Sequence, residues 1–187
     1  MRAETLLRDG DPDAALAALS EAVRDAPQEA RLRVFLFQLL CVQGDWPRAI
    51  QQLRTAATLD PKAGTMAQMY RAAIICERQR EEVFAGQRAP MVLGEPDDWI
   101  AALIEALKLH AHKEYAAAEE LRGRAFEAAP ALPGTLDGAP FGWIADADPR
   151  LGPVCELIVN GRYYWAPFSA IHRITLEPPA DLRDRVW

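Results

Sequence analysis

Apolar residues recur at intervals of three or four positions along most of the first 130 residues. This spacing places them on one face of an α-helix, with polar residues on the opposite face. In residues 29–43, for example, Leu32, Leu36 and Leu39 form such a stripe. The pattern predicts helices over residues 3–8, 12–26, 29–43, 46–59, 64–85, 99–109 and 115–129. A loop is predicted over residues 86–96, which contain two glycines and two prolines.

The first two predicted helix pairs match each other at an offset of 34 residues. The matched positions are Gly10 and Gly44, Asp11 and Asp45, Leu19 and Leu53, Ala22 and Ala56, and Pro27 and Pro61. A 34-residue period with small inner residues and a closing proline is typical of tetratricopeptide repeats, which are stacked helix pairs. Ala118, Ala125 and Pro130 keep the mutual spacings of Ala49, Ala56 and Pro61, so residues 99–129 are interpreted as a third, degenerate pair. The helix over residues 64–85 lacks the Gly-Asp turn and is interpreted as an unpaired or diverged element.

The pattern changes after residue 130, where three prolines and two glycines within residues 130–140 predict a turn-rich boundary. Beyond it, Asn160-Gly161 separates two runs of β-formers, 154–159 and 162–165. This arrangement predicts a hairpin, because a type I′ turn needs positive φ at both central positions. Residues 171–176 are predicted as a third strand and residues 141–144 as a weaker one.

The predicted fold class is therefore α+β. A tetratricopeptide-like helical domain is expected over residues 1–130, followed by a small antiparallel β element over residues 131–187. This order of helices first and strands afterwards is typical of α+β proteins rather than of alternating α/β folds.

Composition and charge narrow the function classes. Half of the residues are hydrophobic and 26% are charged, which is ordinary for a globular protein. The net charge of −6, from 21 basic and 27 acidic residues, argues against nucleic-acid binding, which depends on Lys and Arg contacts to phosphates. No signal peptide is evident, and the richest apolar run, residues 34–42, is far shorter than a membrane span. The three widely spaced cysteines predict reduced thiols in a cytoplasmic protein.

Helical repeats of this kind bind partner segments in a groove, which the first helix of each pair usually lines. Applied to the second repeat and to the next helix, this geometry predicts the partner-binding residues Arg31, Val34, Gln38, Cys41, Gln68, Ala72 and Ile75. Such a mixed apolar and polar lining suits an amphipathic helix. Two alternatives stay open: some of these positions pack inside a short, irregular superhelix, or the partner docks on the aromatic residues of the β element.

A cluster near the predicted hairpin is a different candidate site. Asp146, Asp148 and Glu156, together with His172, offer carboxylate and imidazole groups that can bind a metal or act as acid and base. On this interpretation the protein is a small metal-dependent hydrolase. Carboxylates that converge on an ion would favour it.

The structural interpretation of the same cluster is that the two aspartates cap turns by accepting backbone N–H bonds. Glu156 then pairs with an arginine, such as Arg150 or Arg162. We favour this interpretation because no second group of metal-type ligands accompanies the carboxylates. The chain also has no evident phosphate-binding glycine loop, so we predict neither a metal nor a cofactor.

The tract FGWIADADPRLGP over residues 141–153 is too distinctive for an ordinary strand connection. Followed by Glu156 and by NGRYYW over residues 160–165, it closely resembles the ImpE family, also called SciE or TagJ. The resemblance implies a structural role for Trp143, Asp146, Asp148, Arg150, Glu156, Gly161 and Arg162. Members of this family usually continue for several dozen residues of further β-structure, so the chain is expected to be shortened at Trp187.

The resemblance also implies a function, since these proteins are accessory components of bacterial type VI secretion systems. It implies a non-enzymatic adaptor that binds the N-terminal helix of TssB, the small subunit of the contractile sheath. Through the sheath the adaptor is linked to ClpV, the unfoldase that recycles contracted sheath. The periodicity alone indicates only a helical scaffold, which leaves open a general repeat scaffold for another partner.

Overall fold

The structure, a computed structural model, describes residues 1–95 and 97–186. These residues contain seven α-helices and five short strands. The helices are α1 (Arg2–Arg8), α2 (Pro12–Asp25), α3 (Ala30–Val42), α4 (Trp46–Leu59), α5 (Gly64–Phe84), α6 (Asp98–Ala111) and α7 (Tyr115–Ala128). The strands are β1 (Met91–Val92), β2 (Gly134–Leu136), β3 (Ala139–Phe141), β4 (Val154–Val159) and β5 (Arg162–Pro167). Pro96 and Trp187, which end the predicted loop and the predicted C-terminal region, lie outside the described residues. The α+β fold class and every predicted helix are confirmed.

The two matching repeats begin their second helices in the same way. Asp11 caps α2 by accepting a hydrogen bond from the backbone N–H of Ala14 at 2.9 Å, and Asp45 caps α4 by accepting one from Arg48 at 3.3 Å. A proline follows each of these aspartates at the start of the helix, where its missing N–H costs nothing. The glycine before each aspartate has positive φ. The repeat therefore recurs as a local structure as well as a sequence pattern.

The first of two compact units comprises Met1–Ile75 together with the chain from Leu176 onward. In it α1 packs on α2, α3 packs on α4, and α2 contacts α3. Its core contains fully buried alanines, including Ala15 and Ala49, beside larger residues such as Leu19, Phe37 and Leu53. Small side chains at these repeated positions let paired helices approach closely.

The second compact unit comprises Cys76–Thr175. It holds the packed pair α6 and α7, a three-stranded sheet in the order β1-β5-β4, and the separate hairpin β2–β3. Its core includes Ile100 and Leu103 of α6 and Trp165 of β5. The expected division at residue 130 separates helices from strands, whereas the compact units divide the chain within α5, because α6 and α7 pack with the sheet residues in one core.

The predicted Asn-Gly hairpin is confirmed. Strands β4 and β5 pair antiparallel with Val159 opposite Arg162, and Asn160 and Gly161 have φ values of 50° and 70°. Alternation along β5 buries Tyr163 and Trp165 on one face, as a strand period of two requires.

Three parts of the β prediction were wrong. Within the predicted loop 86–96, β1 pairs parallel with β5, so the three-stranded sheet is mixed rather than purely antiparallel. The predicted strand 171–176 forms no strand, because these described residues pair with no neighbouring edge. The weaker strand predicted at 141–144 instead ends at Phe141, where β3 pairs with β2 across Asp137-Gly138. Both turn residues have positive φ, so this Asp-Gly pair was a hairpin signal inside the predicted boundary.

Two further observations concern the whole described chain. All three cysteines are in the thiol form, with Cys41 and Cys76 buried and Cys155 half-buried. Among residues 1–95 and 97–186, no helix combines the length and the apolar content that crossing a bilayer requires.

Candidate functional site

The first helices of the two repeats border a cavity of about 840 Å³, which we call the groove. Helix α1 and its N-cap contribute Met1, Glu4, Leu7 and Arg8. Helix α3 and its N-cap contribute Glu29, Arg31, Leu32, Phe35 and Gln38, and the C-terminal part of the chain contributes Ala180, Asp181 and Leu182. Apolar and charged side chains thus share the lining. This is the composition expected of a surface that binds an amphipathic segment.

A smaller cavity of about 260 Å³ shares part of its α3 lining with the groove. Its lining residues are Ala30, Arg31, Val34, Phe35, Gln38, Asp60 and Ala63. Arg31, Phe35 and Gln38 border both cavities, and their i, i+4, i+7 spacing places them on one face of α3. We call these three residues the α3 ridge.

The structure brings together three of the four partner-binding residues predicted on α3. Arg31, Val34 and Gln38 border the smaller cavity, and Arg31 and Gln38 also border the groove. The prediction for Cys41 requires correction, because this residue is only 2% exposed and belongs to the hydrophobic core. At 100° per residue it stands about 120° around the helix from Phe35, on the side that packs against neighbouring helices.

The three residues predicted on α5 occupy a different surface. Gln68 and Ile75 are exposed and Ala72 is half-buried, but the described linings of the two cavities include none of them. Around α5 they stand about 140–200° from Tyr70. Tyr70 packs against the helical core, and its ring lies tilted against that of Phe37, with ring centroids 5.7 Å apart. The prediction therefore missed the inner face of α5.

The C-terminal part of the chain supplies residues that the pattern did not predict for this site. The guanidinium of Arg183 lies 4.8 Å from the centre of the Tyr70 ring. Both carboxylate oxygens of Asp181 accept hydrogen bonds from Arg183 Nε, at 2.9 and 2.7 Å. These bonds hold the pKa of Asp181 below its usual range. Only the tertiary structure could reveal this contact, since Tyr70 and Arg183 are far apart in the sequence.

The family motif has the structural role that the turn-capping interpretation predicts. Asp146 Oδ1 accepts a hydrogen bond from the backbone N–H of Asp148 at 2.8 Å, and Asp148 Oδ1 accepts one from Arg150 at 2.9 Å. The Asp148 carboxylate also pairs with the Arg150 guanidinium, with Nη2–Oδ2 at 2.6 Å. Hydrogen bonds from Arg150 hold the pKa of Asp148 below its ordinary value. Both carboxylates are thus engaged within their own turn.

Glu156 pairs with Arg80 of α5, not with Arg150 or Arg162 as predicted. Arg80 Nε lies 2.8 Å from Glu156 Oε1, and Arg80 Nη2 lies 3.0 Å from Oε2. This bidentate geometry joins residues 76 positions apart, so sequence proximity favoured the wrong arginines.

Two aromatic residues extend this ion pair into the core. The hydroxyl of Tyr163 donates a hydrogen bond to Glu156 Oε1, and Trp165 Nε1 donates one to the Tyr163 hydroxyl at 2.7 Å. Burial and the adjacent Glu156 carboxylate raise the pKa of Tyr163. We call Arg80, Glu156, Tyr163 and Trp165 the Glu156 network.

The Phe84 ring links this network to the family motif. Arg80 and Arg150 each place a guanidinium near the ring, with the Cζ atoms 4.5 and 4.3 Å from its centre. Cation–π contacts of this kind add to the charge pairs that each arginine makes. The two charged groups therefore form one connected arrangement within the second unit.

The remaining predicted motif residues have distinct surroundings. Gly161 forms the hairpin turn, Arg162 is exposed at the start of β5, and Trp143 is 70% exposed. His172 borders a separate cavity of about 470 Å³ whose other lining residues, such as Phe141, are mostly apolar. In the described part of the chain, no three His, Cys, Asp or Glu side chains are grouped as a metal site requires. The hydrolase interpretation therefore has no support from this geometry.

We expect replacement of Asp148 with alanine to lower the free energy of unfolding by about 1.5 kcal/mol, because the Arg150 N–H and guanidinium lose their acceptor. Urea denaturation followed by circular dichroism measures this difference. Asp9→Ala is the control for loss of a surface aspartate, since Asp9 is exposed and has negative φ at the end of α1. A wild-type stability for Asp148→Ala would contradict the structural role.

Comparisons with known proteins agree with this architecture. A model of the ImpE protein family matches residues 138–187, and a tetratricopeptide repeat model matches residues 6–74. The type VI secretion system accessory component TagJ of Pseudomonas aeruginosa is 55% identical over 187 residues, which are 100% of this chain and 66% of that protein.

A solved structure is also similar. The crystal structure of protein VPA1032 from Vibrio parahaemolyticus superposes with a TM-score of 0.83 at 28% identity, covering 90% of this chain and 64% of that one. The chain thus spans about two thirds of the length of these two proteins. The matches together show that the chain belongs to the ImpE/TagJ family.

Proposed function

We propose that this protein is a non-enzymatic accessory protein of a type VI secretion system and acts in the cytoplasm. Its helical repeats bind the N-terminal helix of the sheath small subunit TssB, and the sheath links it to the ClpV unfoldase. One observation carries this proposal: a groove of mixed apolar and polar lining lies between repeat helices of a chain that is 55% identical over its whole length to TagJ.

The chemistry of the groove and of the smaller cavity suits one face of a helix. An α-helix with its side chains is about 10–12 Å across, and only its apolar stripe needs to enter a groove. Phe35, which borders both cavities, and Val34, which borders the smaller one, offer apolar contacts. Arg31 and Gln38 offer hydrogen-bonding groups at the edge. Polar groups at the edge of an apolar contact fix the register and orientation of the bound segment.

A general repeat scaffold for a different partner is the remaining alternative. It uses the same groove, so the identity of the ligand distinguishes the two. The hydrolase alternative is not proposed, because Asp146 and Asp148 are engaged by backbone N–H groups and by Arg150.

We expect Val34→Asp to weaken binding of the TssB N-terminal peptide by about 30-fold. The substitution places an unpaired charge in the proposed contact, which costs about 2 kcal/mol. Val34 is half-buried on α3 and borders the smaller cavity beside the α3 ridge. The measurement is a titration of fluorescently labelled synthetic peptide, with circular dichroism confirming that both proteins are folded.

Two further variants make this test specific. Val159→Asp is the matched control, since Val159 is 41% exposed at the end of β4, in the other compact unit. Ile75→Asp tests the predicted outer face of α5. Equal affinity of folded wild type and Val34→Asp would refute partner binding on this face of α3, and a loss confined to Ile75→Asp would place the partner site on α5.

A further inference from the structure

The chain's own C-terminal segment, which we define as residues 180–186, lies against the groove. Leu182 borders the cavity together with residues of α1 and α3. The 3₁₀ helix Arg183–Arg185 contacts α3, and Val186 packs against the hydrophobic core of the repeats. Arg183 reaches Tyr70 on α5. The segment therefore borders the groove together with α1 and contacts both α3 and α5.

This segment has the chemical pattern of a short amphipathic ligand. Leu182 and Val186 flank the 3₁₀ helix, one before it and one after it. Both are half-buried, whereas Asp184 and Arg185 between them are exposed. An apolar pair on the inner side and charges on the outer side is also what an amphipathic partner helix presents to a groove.

Polar contacts hold the segment in this conformation. Asp184 Oδ2 accepts a hydrogen bond from the backbone N–H of Ala180 at 2.7 Å, which closes the turn before the 3₁₀ helix. Asp181 orients the Arg183 guanidinium, which lies over the Tyr70 ring. Arg183 is thus the residue that joins the ordered turn to α5.

The apolar attachment of the segment is small by comparison. No residue from 180 to 186 is fully buried, and the preceding residues 172–180 form neither helix nor strand. Leu176 is 89% exposed. Segments with few buried contacts open at a lower free energy than the core does.

We propose that the C-terminal segment is an internal competitor that the partner helix must displace from the repeat surface beside the groove. This inference rests on the proposed function and adds its regulation: residues 180–182 form one wall of the groove and residues 183–185 cover part of α3 and α5, so the partner helix reaches that surface only when the segment has left it. The apparent dissociation constant is then the intrinsic constant divided by the fraction of molecules with the segment released. Any contact that holds the segment weakens partner binding in proportion.

The test uses the full chain and the synthetic TssB N-terminal peptide. Arg183→Ala removes the contact with Tyr70 and is expected to tighten peptide binding by about two- to five-fold, the effect of one exposed cation–π contact. Arg185→Ala is the matched control, because it removes an exposed arginine of the same 3₁₀ helix. Its affinity is expected to equal that of wild type. Unchanged or weaker peptide binding by Arg183→Ala would overturn the proposal that the C-terminal segment competes with the partner.

Hydrogen exchange of residues 180–186 provides a readout that does not depend on affinity. Exchange is expected to be faster in Arg183→Ala than in Arg185→Ala, and saturating peptide is expected to accelerate it in wild type. Peptide binding that leaves these residues as protected as before would refute displacement while the proposed function stands. If Arg183→Ala exchanges faster but neither it nor wild type binds the peptide, the proposed function fails, and this regulation fails with it.

Discussion

Replacing Trp165 with alanine is expected to lower the free energy of unfolding by about 4 kcal/mol, the typical cost of removing a large aromatic side chain from a core. Trp165 is 0% exposed in the centre of the mixed sheet. Its ring packs near Phe84, with centroids 6.4 Å apart, and its Nε1 donates to the Tyr163 hydroxyl. The variant therefore loses apolar packing and a buried hydrogen bond together. Urea denaturation followed by far-ultraviolet circular dichroism measures the change.

Trp143→Ala is the matched control for this experiment. Trp143 belongs to the family motif but is 70% exposed, so its replacement is expected to change the free energy of unfolding by less than about 0.5 kcal/mol. A comparable loss in both variants would contradict the burial of Trp165. Tryptophan fluorescence cannot serve as the only probe, since each variant removes one of the five tryptophans.

Replacing Glu156 with alanine is expected to lower the free energy of unfolding by about 3 kcal/mol. The change leaves the Arg80 guanidinium without its bidentate partner and the buried Tyr163 hydroxyl without its acceptor. Breaking a fully buried ion pair costs about 3–5 kcal/mol. The Arg80 side chain is 38% exposed, so water solvates the unpaired guanidinium and the cost here is smaller. The unpaired hydroxyl adds about 1–2 kcal/mol. Chemical denaturation measures the sum.

Two further variants distinguish the stability contributed by the Glu156 network from the general effect of removing a charged side chain. Glu82→Ala breaks the exposed pair of Glu82 and Arg88 and is expected to cost less than about 0.5 kcal/mol. The double variant Arg80→Ala, Glu156→Ala is expected to lose less stability than the sum of the single variants, because both substitutions remove the same interaction. Strict additivity of Arg80→Ala and Glu156→Ala would show that the two side chains do not stabilise each other.

The family motif and the groove lie in different compact units and have different roles. The tract with Asp146, Asp148 and Arg150 organises turns beside the sheet, and its charges are satisfied within the second unit. The residues that border the groove belong to the repeats and to the C-terminal segment of the first unit. The tract over residues 141–153, which is the most distinctive part of the sequence, thus indicates the family and stabilises the fold. The proposed binding surface has no distinctive motif, and the sequence indicates it only through the helical repeat.

Local patterns determined the helices and the main hairpin. Periodic apolar residues, the aspartate caps at Asp11 and Asp45, and the prolines that follow them act within a few residues, so the sequence alone predicts where α2 and α4 begin. Asn160-Gly161 acts in the same way, because the turn conformation depends on those two residues themselves. These predictions needed no knowledge of distant contacts.

Tertiary structure decided the features that need a distant partner. The two residues of β1 form a strand only because they pair with the edge of β5. Residues 171–176, although rich in β-formers, do not form a strand, because no strand pairs with them. Glu156 pairs with Arg80 rather than with a sequence neighbour, since packing brings α5 to the sheet. Cys41 lies in the core and residues 180–182 border the groove for the same reason. The sequence by itself determined a repeat scaffold of the ImpE/TagJ family, whereas long-range packing, which no local period encodes, decided which faces remain open.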